Sequence, residues 1–299
     1  GVQPGAAKEV EALVRGRSEN PLQGLVAGSL DLDKIEYLKR DARFCGVPYG
    51  DVDVDRLLHA LTVVEDPQSA RAEIGVHEKG VAALESLLFA KYQMFRNVYW
   101  HHAVRAATVM YKRIVANALE CGELSRDELI GQTDEGLLYL LQTRAPHVRE
   151  QVDALRQRKL PKRAADVSAA ELGATDDVAD WVTSDGPTKR SAEDAIAQEL
   201  SLPVGSVFID YPEKKAMFAL NILVQRRSGE VLRLGPAGQT GLIGLPSISD
   251  ELYRTARVLR VFVLGKRVRL REDAVLRLAM MQAVEVEDRL RRGVSLLTA

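Results

Sequence analysis

Apolar positions recur at helical spacing through most of the first half of the chain and at strand spacing in parts of the second. Helical patterning is already present from Glu9 to Val14. In residues 29–50, Asp33, Tyr37 and Asp41 fall at i, i+4 and i+8, so a helix there lines them on one face with Arg40 beside them. Ile35 and Leu38 point elsewhere, and Gly46, Pro48 and Gly50 end the helix and turn the chain. Asp51, Asp53 and Asp55 then open an amphipathic helix running through Leu61. From about Arg71 to Leu119 a long helical signal contains Leu84, Leu87, Leu88, Val109 and Met110 and no proline, the pattern of buried helices. Shorter helical patterns follow at Glu128–Ile130 and Glu135–Gln142.

The pattern changes after Arg163. Short helices are expected at Asp176–Trp181 and Ser191–Leu200, with strands at Val207–Asp210, Phe218–Val224, Val231–Leu234 and Leu259–Leu264, and a final helix over Asp273–Arg291. The expectation is a mainly α fold in which a helical domain over residues 1–165 is followed by a small α+β domain over 166–299.

Composition narrows the function classes. The 41 basic and 42 acidic residues leave a net charge of -1, so no global field calls for nucleic acid or an anionic membrane. No apolar run is long enough for a membrane span. Cys45 and Cys121 stand far apart and form no Cys/His cluster, which indicates neither a disulfide framework nor structural zinc and fits a reducing cytoplasm.

Several motifs invite chemistry that their surroundings do not support. The Asp51, Asp53, Asp55 alternation lacks the glycine and closing glutamate of a calcium loop and reads as a helix N-terminus. His59, among leucines, reads as a core histidine, and adjacent helical residues such as His101 and His102 would diverge by about 100 degrees, too far to share a zinc. The basic run Arg156–Arg163 has no interleaved aromatics and reads as a solvated helix end. Gly235, Gly238, Gly241 and Gly244 recur without the Gly-Lys-Ser/Thr of a phosphate loop and read as a flexible loop.

Two segments carry a resemblance. Leu-Asp-Leu-Asp-Lys-Ile-Glu-Tyr-Leu-Lys-Arg-Asp over residues 30–41, followed by Cys-Gly-Val-Pro-Tyr-Gly over 45–50, resembles the last metal-ligand motif of the HD-domain phosphohydrolases, in the branch of deoxynucleoside triphosphate triphosphohydrolases. The resemblance implies that Asp33 ligates a divalent metal and that Lys34 contacts phosphate. It further implies that Tyr37 and Asp41 face the nucleotide sugar. Residues 91–102 resemble a second segment of that family, which makes Arg96 a phosphate contact and matches Tyr99 and His101 to its Val-Tyr-x-His unit.

The family's other metal ligands are one histidine and an adjacent His-Asp pair from an earlier segment, and no His-Asp dipeptide occurs among the five histidines here. With no initiator methionine either, the chain reads as part of a longer protein and by itself as inactive. The activity implied is hydrolysis of a deoxynucleoside triphosphate to deoxynucleoside and triphosphate, by a cytoplasmic homo-oligomer. A non-catalytic nucleotide-binding regulatory module and an HD phosphodiesterase acting on another phosphate ester remain open.

Overall fold

The computed structural model describes residues 5–28, 30–172, 178–212, 221–235, 244 and 249–298. The chain is mainly helical with two small sheets. It forms two compact units, residues 1–98 with 214–253, and residues 99–213 with 254–299. The expected boundary at residue 165 falls inside a strand of the second unit.

In the first unit, helices α1 (Ala6–Val14), α2 (Gln23–Val26), α3 (Leu32–Cys45) and α4 (Val54–Leu58) precede strands β1 (Leu61–Glu65) and β2 (Ala72–His77) and helix α5 (Val81–Met94). The second unit begins with α6 (His102–Glu120), α7 (Asp134–Arg144), α8 (Arg149–Arg156), β3 (Lys162–Ser168), α9 (Asp180–Thr183), α10 (Pro187–Glu199) and β4 (Val207–Asp210). Strands β5 (Ile222–Gln225) and β6 (Val231–Leu234) return to the first unit. Helix α11 (Ser249–Ala256) leads to β7 (Val258–Val263), α12 (Glu272–Met280) and α13 (Ala283–Arg292).

One expected helix ends early and the start of another becomes a strand. The helix after Asp53 stops at Leu58, and Thr62-Val63-Val64, a β-branched run, pairs antiparallel with Ile74 and its neighbours in β2. Residues 72–77, expected to begin the long helix, form β2, which also pairs in parallel with β5. The α+β character is therefore shared between the two halves of the chain: the first sheet runs β1-β2-β5-β6 and the second β3-β7-β4. The expected long helix is also interrupted by a π-helical turn over Phe95–Tyr99 before α6 begins. The expected final helix divides at Met281 and Gln282 into α12 and α13. Asp176 and Asp177, Phe218 to Leu220, and Gly238 and Gly241 lie outside the described residues. His59 is exposed rather than in the core, its Nδ1 2.7 Å from the Asp55 carbonyl oxygen.

Helix α3 is fixed at both ends and along one side. Asp31 caps it by accepting from the Lys34 N–H, and Gly46, at φ 66°, closes it in the left-handed conformation. Ile35, Leu38 and Ala42 form its buried face, and α3 packs against α5 and the 3-10 turn Pro48–Gly50. Gly50 is required by that turn: a Cβ there would lie 2.4 Å from the Ala42 Cβ and 2.5 Å from the Leu38 carbonyl oxygen. Gly50→Ala should therefore cost about 1–3 kcal/mol by forcing the turn off α3. A denaturation midpoint equal to wild type would show that the turn moves freely.

The second sheet has two packed faces. Val207, Ile209, Leu259, Val261 and Val263 meet Ile196, Val275, Leu278 and Val286 on one side, while Phe208 and Phe262 meet Met110, Ile114, Leu141 and Val152 on the other. A buried ion network ties α6 to α10. Arg113 donates from Nη1 to Glu193 at 3.0 Å and from Nη2 to both Asp194 oxygens at 2.8 Å, and the Ile209 N–H donates to Glu193 at 2.8 Å. Burial pushes the Glu193 carboxyl up to about 7, against the pull of Lys189, the Ile209 N–H and Arg113.

A folded-state pKa above the unfolded value means that the folded chain binds the Glu193 proton more tightly. This contribution is full below the unfolded value of 4.5 and is lost as pH rises through about 7. The urea midpoint of wild type should thus fall between pH 5 and pH 7.5 relative to that of Glu193→Gln. Parallel profiles for the two proteins would contradict this assignment. Asp66, Glu128 and Asp273, held down at about 2 by hydrogen bonds to Ser69, Ser125 and Arg277 first, titrate below that window.

Candidate functional site

Helix α3 presents the expected stripe. Asp33 is exposed in its first turn, with Tyr37 and Asp41 half-buried one and two turns on. The Tyr37 hydroxyl is pushed above its ordinary pKa first by burial and then by the charges of Asp31, Asp33 and Asp41. A neutral tyrosine beside carboxylates can donate a hydrogen bond, and the carboxylates can accept them, which suits a polyhydroxylated ligand.

Arg40, beside the stripe, is held through Nε and Nη2 to Glu36 at 2.7 and 3.0 Å, and its Nη1 lies 3.5 Å from Asp41. The other side of α3 faces α4 across a cavity of about 610 Å³ lined by residues including Ile35, Lys39, Arg43 and Phe44 and by none of the candidate site residues.

Lys34 adds a detail that the sequence reading lacked. Its ammonium donates to the Gly28 carbonyl at 2.9 Å and to the Asp31 carboxylate, so the first aspartate of the Asp-x-Asp pair caps the helix and also holds the lysine. The signal was present as an aspartate three residues before the first interior turn, the ordinary N-cap position.

Arg96 is exposed on the π turn, its Nη1 donating to the Tyr92 hydroxyl at 3.0 Å. Such single π turns inside helices are frequent where a side chain must be presented out of the regular helical register. Tyr92 is buried at 4% exposure and braces the arginine from the end of α5. Asp33, Lys34, Tyr37, Asp41 and Arg96 all belong to the first unit, in which α3 and α5 pack together.

Tyr99 and His101 belong to the second unit. Tyr99, half-buried, closes the π turn. His101 is the N-cap of α6, its Nδ1 accepting from the Ala103 N–H at 3.4 Å. Being outside the helix, it escapes the 100-degree divergence expected of helical neighbours, and its ring centroid lies 4.2 Å from that of His102.

The metal expectation has a plain test in the side chains. Among the described residues, no three His, Cys, Asp or Glu side chains come together as a metal-binding group. A divalent cation takes several ligands, so the exposed Asp33 carboxylate does not fit a metal without further donors. Also among the described residues, no helix is long and apolar enough to cross a membrane.

The chain is 32% identical over 142 residues to the protein MJ1154 of Methanocaldococcus jannaschii, a match covering 47% of this chain and 31% of that protein. It is 32% identical over 118 residues to YwfO of Bacillus subtilis, covering 39% of this chain and 26% of that protein. The chain thus spans about a third or less of these curated relatives.

Its fold is shared with a crystal structure of a phosphohydrolase from Bacteroides thetaiotaomicron, at TM-score 0.59 and 17% identity over 85% of this chain and 66% of that one. A hypothetical protein from Aquifex aeolicus is similar at TM-score 0.52 and 24% identity, covering 86% of this chain and 61% of that one. Helix α3 precedes the segment that the family model recognises, which runs from the residue before the α4 cap to just beyond β6. Matched over residues 52–240, the chain belongs to the HD-associated region family.

Proposed function

We propose that this chain supplies the nucleotide-facing side of an HD-type phosphohydrolase that converts a deoxynucleoside triphosphate and water to deoxynucleoside and triphosphate. The observation that carries the reading is the α3 stripe, which sets Asp33, Tyr37 and Asp41 at successive turns of one helix. Membership of the HD-associated region family and a fold shared with a phosphohydrolase support it.

In this reading Asp33 is one donor of a divalent-metal site whose remaining donors come from sequence outside this chain. That agrees with matches covering only 31% and 26% of the curated relatives. Lys34 and Arg96 neutralise phosphate oxygens, Lys34 exchanging Asp31 for the substrate. Tyr37 and Asp41 bond sugar hydroxyls.

The test is a panel of dGTP, GTP, a cyclic dinucleotide and a phosphomonoester, run on the full-length parent and its variants. Arg96→Ala should lower kcat/KM for dGTP far more than for the monoester, because only the longer, more highly charged chain reaches that guanidinium. Asp41→Ala should weaken discrimination between dGTP and GTP instead. A parent that cleaves only the cyclic dinucleotide would replace this reading with a phosphodiesterase. Binding of dGTP without cleavage of any substrate would replace it with a regulatory module.

A further inference from the structure

The cavity of about 610 Å³ between α3 and α4 is apolar in its lining and charged at its edge. Leu32, Ile35 and Phe44 of α3 and Val54 and Leu58 of α4 supply the apolar part. Ile35 is buried, but Leu32 and Leu58 are exposed and Phe44 is 85% exposed. Single apolar residues scattered on a surface need no explanation; three exposed ones around one cavity mark a place where something binds.

The charges give the occupant its sign. Glu36 and Arg40 are joined to each other by two hydrogen bonds. Lys39 and Arg43, one helical turn apart, are exposed and make no ion pair or side-chain hydrogen bond among the described residues, and the Asp55 carboxylate across from them on α4 makes none either. Two free cations against one free carboxylate leave an excess of positive charge beside the apolar lining. An apolar body with one anionic head complements both features.

The short wall gives its size. The five residues of α4 rise about 7–8 Å. A docked amphipathic helix needs a groove of at least about 10 Å to seat anchors at i and i+7, so α4 is too short to hold one. The cavity volume instead lies in the range of small-molecule sites, which run from about 300 to 1,000 Å³.

We propose that the cavity between α3 and α4 binds a long-chain carboxylate. Its apolar chain lies against Leu32, Ile35, Phe44 and Leu58, and its head accepts hydrogen bonds from Lys39 and Arg43, whose spacing lets them share the two oxygens of one carboxylate. Asp55 opposes the head and weakens its binding.

The experiment is calorimetric titration and thermal denaturation of the whole chain with dodecanoate, dodecyltrimethylammonium or dodecanol, each kept below its aggregation limit. The three share one apolar chain and differ in the charge of the head. Saturable dodecanoate binding that raises the melting temperature is expected, at least about tenfold tighter than that of the cationic analogue. The double variant Lys39→Gln, Arg43→Gln should weaken dodecanoate binding by at least about tenfold.

Phe44→Ser should weaken it severalfold and leave the ligand-free melting temperature unchanged, since that side chain is exposed. Asp55→Asn should tighten dodecanoate binding severalfold and leave dodecanol binding as it was, a response that a purely apolar site would not give. Absence of saturable dodecanoate binding, equal affinity for the cationic analogue, or wild-type affinity in the double variant overturns the proposal. So does loss of dodecanoate binding in the full-length parent, which would show that another part of the parent fills the cavity. A dimer of the chain that Phe44→Ser dissociates, without dodecanoate binding, would make this face an interface between copies instead.

Discussion

Arg113→Ala should lower the stability of the chain by roughly 3–5 kcal/mol at pH 8, the range for removing one partner of a buried ion network. The Arg113 side chain is 7% exposed, and it bridges Glu193, at 6%, and Asp194 across α6 and α10. Its removal strands the buried Glu193 carboxylate and takes the cation from the half-buried Asp194, and the cavity adds to the cost. The loss should shrink toward pH 5.5, where Glu193, already pushed up to about 7, takes a proton and no longer needs a cation. Urea denaturation of wild type and variant at both pH values measures this directly. A loss below about 1 kcal/mol at pH 8 would mean that the network is solvated and contributes little.

Asp33→Ala should abolish dGTP hydrolysis by the full-length parent, with a loss beyond the 10–100-fold typical of groups that only orient a metal's ligands. The fold should survive. Asp33 is exposed, and Asp31, not Asp33, caps α3, so the substitution removes only a favourable charge near the helix N-terminus, worth about 0.3–1 kcal/mol. Activity and melting temperature measured on the same preparation separate the two effects. A variant that retains turnover assigns Asp33 to solvent, and one that unfolds assigns it to structure.

The α3 stripe was legible because its information is local: i, i+4 and i+8 on one helix, ended by a glycine in the left-handed conformation. Strand β4 was legible over its full length for the same reason, as a short apolar run with a uniform preference. Strand β2 was not. Ala72 to His77 has a helix-compatible composition and becomes a strand through pairing on one side with β1 and on the other with β5, far along the chain; tertiary pairing overrides a weak local preference.

The π turn at Phe95 has no apolar-period signature, since it inserts one residue into an otherwise helical pattern. The ionic contacts that decide stability lay out of sight altogether. Arg113 and Glu193 are 80 residues apart and Arg105 and Asp210 are 105 apart, and nothing in either neighbourhood marks its partner. In the site itself, the residue types pointed to Lys34 as a phosphate contact but gave no sign that Asp31 holds its ammonium at rest.

The most direct measurement is phosphorus NMR of the products formed from dGTP by the full-length parent, beside its Asp33→Ala variant and the present chain alone. The account predicts tripolyphosphate resonances appearing with deoxyguanosine in the wild-type parent, and no product from either the variant or residues 1–299. Release of orthophosphate or pyrophosphate instead, or tripolyphosphate from the present chain alone, would contradict it.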